Sequence, residues 1–174
     1  MVGPNFTVDP TRRPAGDVRI LAALGTMPDD VVARARHVAA IMHAQQADKA
    51  GRPYLQHPAR VAARLAADGQ PAETVAVGWL HDVVEDTTLT VQDLQAVFAD
   101  HPRVAPAVAA ITRGAHQPGD DYYRQVMADP IALAVKWADL CDNLDADRMA
   151  LLPGVVRTRL RAKYAHAIQV LSAA

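Results

Sequence analysis

Apolar positions recur at three- and four-residue spacing through most of the chain, the period of a helix with one buried face. From Asp29 onward the residues Val31, Val32, Ala35, Val38, Ala39, Ile41 and Met42 follow this rule behind an aspartate suited to capping, which predicts a helix over about 29–47. The stretch from Asp48 to Pro53, with Gly51 inside it, breaks the pattern. A second helix is then predicted from about 54 to 69, carrying Val61, Ala62 and Leu65, and Gly69-Gln70-Pro71 makes a turn. Residues 72–86 are strongly apolar (Val75, Val77, Trp79, Leu80, Val83, Val84) yet end in a dense polar cluster. That mixture predicts a buried helix whose far end lines a site.

Further along, Thr90 is placed to cap a short helix through Leu94 and Phe98, and 104–111 predicts another. Residues 114–120 read as a loop, 122–127 as a helix, and Pro130 as the first turn of a helix bearing Ile131, Leu133, Val135, Trp137 and Leu140. Pro153-Gly154 separates this from a last helix over about 155–171. No window alternates with the period of a strand. The expected fold class is therefore all-α, a compact helical bundle. Residues 1–15 hold Pro4, Pro10 and Pro14 without an apolar period, and are expected to form a flexible arm ahead of one domain over 16–174.

Composition narrows the functional classes. With 174 residues, 51% of them hydrophobic, one sizeable core is expected and two ordinary domains are not. Eighteen basic and 19 acidic side chains nearly cancel, so bulk charge points neither to nucleic acid nor to an anionic membrane, and an anionic ligand would need a local feature to hold it. Cys141 is the only cysteine, which excludes an internal disulfide framework and fits a reducing cytoplasm. There is no signal peptide pattern at the N-terminus, and no run approaches the roughly 18 apolar residues of a membrane span.

His81 and Asp82 are adjacent on a segment expected to be buried, with Glu85 and Asp86 one turn later. Burying these charges uncompensated would cost several kcal/mol, and a bound cation resolves that cost. Imidazole and carboxylate donors without a thiolate suit Mn²⁺, Fe²⁺, Co²⁺ or Zn²⁺ in a reactive site better than structural zinc. Further ligands must come from distant helices, and His57 and Asp139 are the candidates. His37, His43, His101, His116 and His166 read as surface or hydrogen-bonded structural residues.

These residues sit in three linked segments. His43-Ala44-Gln45-Gln46 through Lys49-Ala50-Gly51-Arg52-Pro53-Tyr54-Leu55-Gln56-His57-Pro58 is one, Trp79-Leu80-His81-Asp82-Val83-Val84-Glu85-Asp86-Thr87 the second, and Lys136-Trp137-Ala138-Asp139-Leu140-Cys141-Asp142-Asn143 the third. In order and spacing they resemble the HD-type hydrolase domain of RelA/SpoT enzymes over about residues 30–170. The resemblance implies an HD-domain helical bundle that removes the 3′-pyrophosphate of guanosine tetra- and pentaphosphate, usually with Mn²⁺, and a small stand-alone alarmone hydrolase without the synthetase domain. By matching position it implies His57, His81, Asp82 and Asp139 as metal ligands and Glu85 and Asp86 as the proton-transfer groups. On the substrate side it implies Asn143, with Lys49 and Tyr54 as further candidates. It also implies a small-molecule nucleotide as the ligand, with neither nucleic acid nor membrane as partner.

The segments depart from the family at definite positions. Asp48 stands where the family has an arginine that stacks on guanine, and an aspartate offers no cationic face to a purine. Asp142, Asp145 and Ala146 stand where the family has a histidine before the asparagine and an arginine and threonine after it, exchanges expected on the nucleotide side. Tyr122, Tyr123 and Arg124 resemble a segment bordering the pocket. The basic run Arg157, Arg159, Arg161 and Lys163 reads as a solvated helix face, with steering of phosphates as the other reading. Two further functions stay open: an HD phosphohydrolase acting on another nucleotide, and a non-catalytic binding module.

Overall fold

A computed structural model describes residues 25–48 and 51–173, and these fold into helices joined by short turns. In order they are α1 (Val31–Met42), α2 (Gln56–Ala67), α3 (Ala72–Leu80), α4 (Val83–Asp86), α5 (Val91–Val97), α6 (Val104–Ile111), α7 (Gly119–Met127), α8 (Pro130–Asn143), α9 (Ala146–Ala150) and α10 (Gly154–Leu171). Among the described residues the only strand-like feature is an isolated antiparallel bridge between Ala47 and Pro53. The fold is all-α, as expected. Residues 1–15, the expected arm, lie outside the described residues.

Helix α3 forms the centre because it is apolar nearly all round: Thr74, Val75, Ala76, Val77, Gly78 and Leu80 are all buried. It packs against α1, α2, α6 and α8. Where α3 crosses α2 the approach is very close, since a Cβ added at Gly78 would lie 2.6 Å from Leu65 Cδ1 and 3.3 Å from the Ala62 Cα. Val38, Val61, Leu65, Leu80, Val83, Leu94, Phe98 and Leu140 complete the surrounding core.

Several expected boundaries rest on caps that the structure contains. Asp30 accepts from the Ala33 amide at 2.8 Å, Asp129 from Ile131 and Ala132 at 2.8 and 2.9 Å, and Thr90 with Asp93 forms a reciprocal capping box. Pro130 occupies the first turn of α8, where its missing N–H costs nothing. Arg34, buried on an otherwise apolar helix face, ties the start of α1 to the end of α5. Its guanidinium donates to Pro28 O, Asp29 O and Val97 O at 2.8, 3.0 and 3.1 Å and forks onto the Asp100 carboxylate at 2.6 and 3.1 Å.

Four expectations need correction. The first helix ends at Met42 rather than near 47, because the chain turns at His43–Gln45 and then doubles back, with Asp48 N–H donating to Arg52 O and Tyr54 N–H to Gln46 O; Gly51, at φ +78°, supplies the tight bend. The single helix expected over 72–86 is interrupted by a turn at His81–Asp82, where Asp82 stands at the edge of the α region (φ −104°, ψ −6°). Helix α7 begins at Gly119, inside the expected loop, with Asp120 and Asp121 placed favourably in its first turn. Lastly, α9 was not expected: it is a five-residue turn of helix capped by Asp145, which accepts from the Arg148 amide at 3.0 Å.

Candidate functional site

Three helix ends and a helix face converge beneath one cavity of about 490 Å³. His57 lies in the first turn of α2, followed by Pro58, which is tolerated there because the first amides of a helix have no internal partner. His81 and Asp82 occupy the break between α3 and α4. Adjacent residues of an unbroken helix point about 100° apart, so the break is what lets both heads face the same point. Asp139 and Asn143 lie one turn apart on α8, with Lys136 one turn before.

The distances define a cluster. His57 Nε2 and His81 Nε2 are 3.2 Å apart. Asp82 Oδ2 lies 3.1 Å from His81 Nε2 and 3.7 Å from His57 Nε2, and Asp139 Oδ1 lies 3.9 and 3.2 Å from the same two nitrogens. His57, His81 and Asp82 each offer a ligand atom within 4.8 Å of the others. Both imidazoles spend their second nitrogen on an atom that can only accept: His81 Nδ1 on Gly78 O at 2.9 Å, and His57 Nδ1 on Asp142 Oδ2 at 2.6 Å. Each Nδ1 is therefore a donor, which turns both Nε2 atoms toward one another beside two carboxylates. Two imidazole nitrogens and two carboxylates turned toward one point form a donor set that fits a divalent cation of the Mn²⁺ to Zn²⁺ kind.

The electrostatics of the cluster follow from burial and pairing. Burial opposes the charged form of Asp139, but the Lys136 ammonium at 2.8 Å and the two imidazoles outweigh it and hold the carboxyl below the usual carboxylate range. Asp82 is likewise pulled down against its burial, chiefly by His81. Burial works against a protonated His81, and the Asp82 and Asp139 carboxylates reverse the effect and raise its pKa. Asp86 moves the other way: burial, then repulsion by Asp82 and Glu85, pushes its carboxyl up to about 6. Tyr54 donates its hydroxyl to Asp82 Oδ2, and burial together with that carboxylate raises its pKa far above the ordinary phenol value.

Around the cluster the cavity wall is formed by both expected and unexpected residues. Tyr54, Glu85, Asp86 and Asn143 all line it. Glu85 accepts from the Arg113 amide at 3.2 Å, and Asn143 donates its side-chain amide to Asp139. His43, fully buried, donates from Nδ1 to Gln46 at 2.7 Å, and the Gln46 amide reaches Asp86 O at 2.8 Å, so this histidine braces the segment bearing Asp86. Lys49 lies outside the described residues. Tyr122 and Tyr123 are buried and also line the cavity, while Arg124 pairs with Asp121 at the surface.

Sequence reasoning missed several cations of this wall. Arg52, Arg113, Lys136 and Arg148 line it, and of the basic run on α10 only Lys163 does. They are the local feature that a nearly neutral chain needs to hold an anion. Nothing in the spacing of Arg113 or Arg148 signals this, because both reach the cavity through turns. Of the exchanged positions, Asp48 lies on the wall, but Asp142 and Asp145 do not: Asp142 sits behind His57, and Asp145 caps α9. Of these three acidic positions only Asp48 lines the cavity, which corrects the expectation that Asp142 and Asp145 do so.

Comparison with known proteins agrees with this geometry. Residues 35–120 match the HD domain family, a span that includes His57, His81, Asp82, Glu85 and Asp86. Over 131 residues, 68% of the chain, it is 34% identical to a probable guanosine-3′,5′-bis(diphosphate) 3′-pyrophosphohydrolase of Synechocystis sp.. Over 121 residues, 65% of the chain, it is 32% identical to the guanosine-3′,5′-bis(diphosphate) 3′-pyrophosphohydrolase of Aquifex aeolicus. The chain spans 17% of the length of each of these relatives. A solved structure of a metazoan ortholog of SpoT, described as hydrolysing ppGpp and acting in starvation responses, shares the fold with a TM-score of 0.68. That match covers 84% of this chain and 88% of the other at 23% identity. With the matched family model and these relatives in agreement, residues 35–120 of the chain form an HD domain.

Proposed function

We propose that the chain is a cytoplasmic hydrolase dependent on a divalent cation, Mn²⁺ in the first instance. It removes the 3′-pyrophosphate from guanosine or adenosine 3′,5′-bis(diphosphate), and its ligand is a small-molecule nucleotide rather than nucleic acid. The observation that carries this reading is the pair of Nε2 atoms held 3.2 Å apart between Asp82 and Asp139. His57, His81, Asp82 and Asp139 would hold the cation. When bound, it would lower the pKa of a neighbouring water and offset charge on the phosphate under attack.

The remaining chemistry falls to the protein's own groups. Glu85 and Asp86, exposed to the cavity beside the cluster, accept the proton of the attacking water and return one to the departing 3′ oxygen. Water adds to the phosphorus bonded to that oxygen, the phosphorus–oxygen bond breaks, and pyrophosphate leaves a nucleoside 5′-diphosphate with a free 3′ hydroxyl. Arg52, Arg113, Lys136, Arg148 and Lys163 supply the positive wall for the phosphates, with Tyr54, Asn143 and Lys49 as further substrate contacts. Among the described residues no helix is long and apolar enough to cross a membrane.

Mn²⁺-loaded protein incubated with ppGpp and with ppApp is expected to release pyrophosphate from one or both, and release from neither would overturn the substrate assignment. Asp48 on the cavity wall favours a second reading, a phosphohydrolase for another nucleotide. That reading predicts orthophosphate from a nucleoside monophosphate and no pyrophosphate from either alarmone.

A further inference from the structure

Asp142 does not line the cavity, yet two guanidiniums and an imidazole meet on it. Its Oδ2 accepts from His57 Nδ1 at 2.6 Å and from Arg60 Nη2 at 3.2 Å, and also meets the Arg148 guanidinium; its Oδ1 accepts from Arg60 Nε at 2.6 Å. Both His57 and Asp142 are buried, at 5% and 7% exposure, so the bond between them is shielded from water. His57 Nδ1 has one other neighbour, Arg148 Nη1 at 3.4 Å. A guanidinium can only donate, and the much shorter contact to an acceptor decides that the nitrogen carries a proton. The two guanidiniums in turn secure Asp142. They hold it in one rotamer, and their positive charge offsets the burial of its own.

We propose that Asp142 is the positioning residue of the centre, fixing His57 in the tautomer that presents Nε2 to the cation, and that Arg60 and Arg148 lock it in place. Through it, α2, α8 and α9 share one polar joint, so the wall segment bearing Arg148 is tied to the ligand set. The inference rests on the cation reading above. A carboxylate behind a ligating imidazole orients the ring and raises its basicity, and its loss costs about 10- to 100-fold in metal affinity. Asparagine cannot substitute, because both oxygens of Asp142 face donors and any rotamer turns an NH₂ toward one of them.

Zinc-loaded wild-type protein, examined by nitrogen-15 NMR, tests the tautomer without any substitution. His57 should show a protonated Nδ1 with a proton protected from exchange, and coordination through Nε2; coordination through Nδ1 or an unprotected proton there would overturn the proposal. Co²⁺ affinity of Asp142→Ala and Asp142→Asn, measured by titration of the visible absorption band, should fall about 10- to 100-fold with helicity retained. Arg148→Ala should lose less than Asp142→Ala. Wild type that binds no Co²⁺ defeats the cation reading and this inference together, whereas tight binding by wild type and by folded Asp142→Ala alike defeats only the role of Asp142.

Discussion

Replacing His81 by alanine removes one of the two opposed Nε2 atoms and leaves Asp82 beside an empty position. Calorimetric titration with Mn²⁺ should then show no saturable binding, since the three remaining donors come from elements that no longer share a common focus. Glu85→Gln changes the site differently. The amide keeps the volume and the hydrogen bond from the Arg113 backbone, but it cannot take up a proton at neutral pH. Cation affinity should be retained while kcat falls about 10²- to 10⁴-fold, the usual contribution of a positioned proton-transfer group. Full activity in that variant would remove Glu85 from the mechanism. At this scale the sequence was informative about residues that act in pairs at fixed spacing, such as His81 with Asp82 or Asp139 with Asn143. It was silent on Arg60 and Arg148, whose importance comes only from a carboxylate 82 residues away in one case and six in the other, and it placed Asp142 on the wrong side of His57.

Among the elements, caps and breakers were legible and interruptions were not. Thr90 announces a helix start through local hydrogen bonding and Pro130 through its fixed φ and missing N–H, neither of which needs tertiary information. The break at His81–Asp82 is different, because an apolar run on both sides of it has the same period whether or not the helix continues. The expectation of a continuous helix failed at the two residues on which the chemistry depends. Arg34 shows the same limit, reading as a misplaced charge in an apolar stripe until Asp100 and three carbonyls arrive from outside its helix. Arg34→Ala should lower stability by about 2–3 kcal/mol in urea unfolding, the scale of hydrogen bonds to a charged group. The same contact sets a pH dependence. The hydrogen bond from Arg34 holds the Asp100 carboxyl below its ordinary range, so its contribution is complete above the unfolded value of about 4 and is lost as pH falls through the lower folded value. The melting temperature of Asp100→Asn should therefore fall less steeply than that of wild type as pH is lowered below about 4.

For the whole molecule, a nearly neutral chain brings carboxylates and cations to line the same cavity, with Lys136 paired to Asp139 inside the cluster. An ion that seats among the carboxylates binds only the folded chain and should stabilise it by about 2.7 kcal/mol at a hundredfold excess over its Kd. For a protein of this size that corresponds to a rise of roughly 5–10 °C in melting temperature on adding Mn²⁺, reversed by a chelator. The absent side chain at Gly78 then acquires a meaning beyond packing. It lets the rod that delivers one imidazole rest almost directly on the backbone of the rod that delivers the other, so the gap between the two proposed ligands is gauged by a single hydrogen atom. A methyl group at that place should leave the fold nearly as stable, because alanine's better helix propensity of about 1 kcal/mol offsets part of the crowding. What it should spoil is the gauge: Gly78→Ala is expected to unfold within about 2 kcal/mol of wild type yet grip a small cation measurably less well.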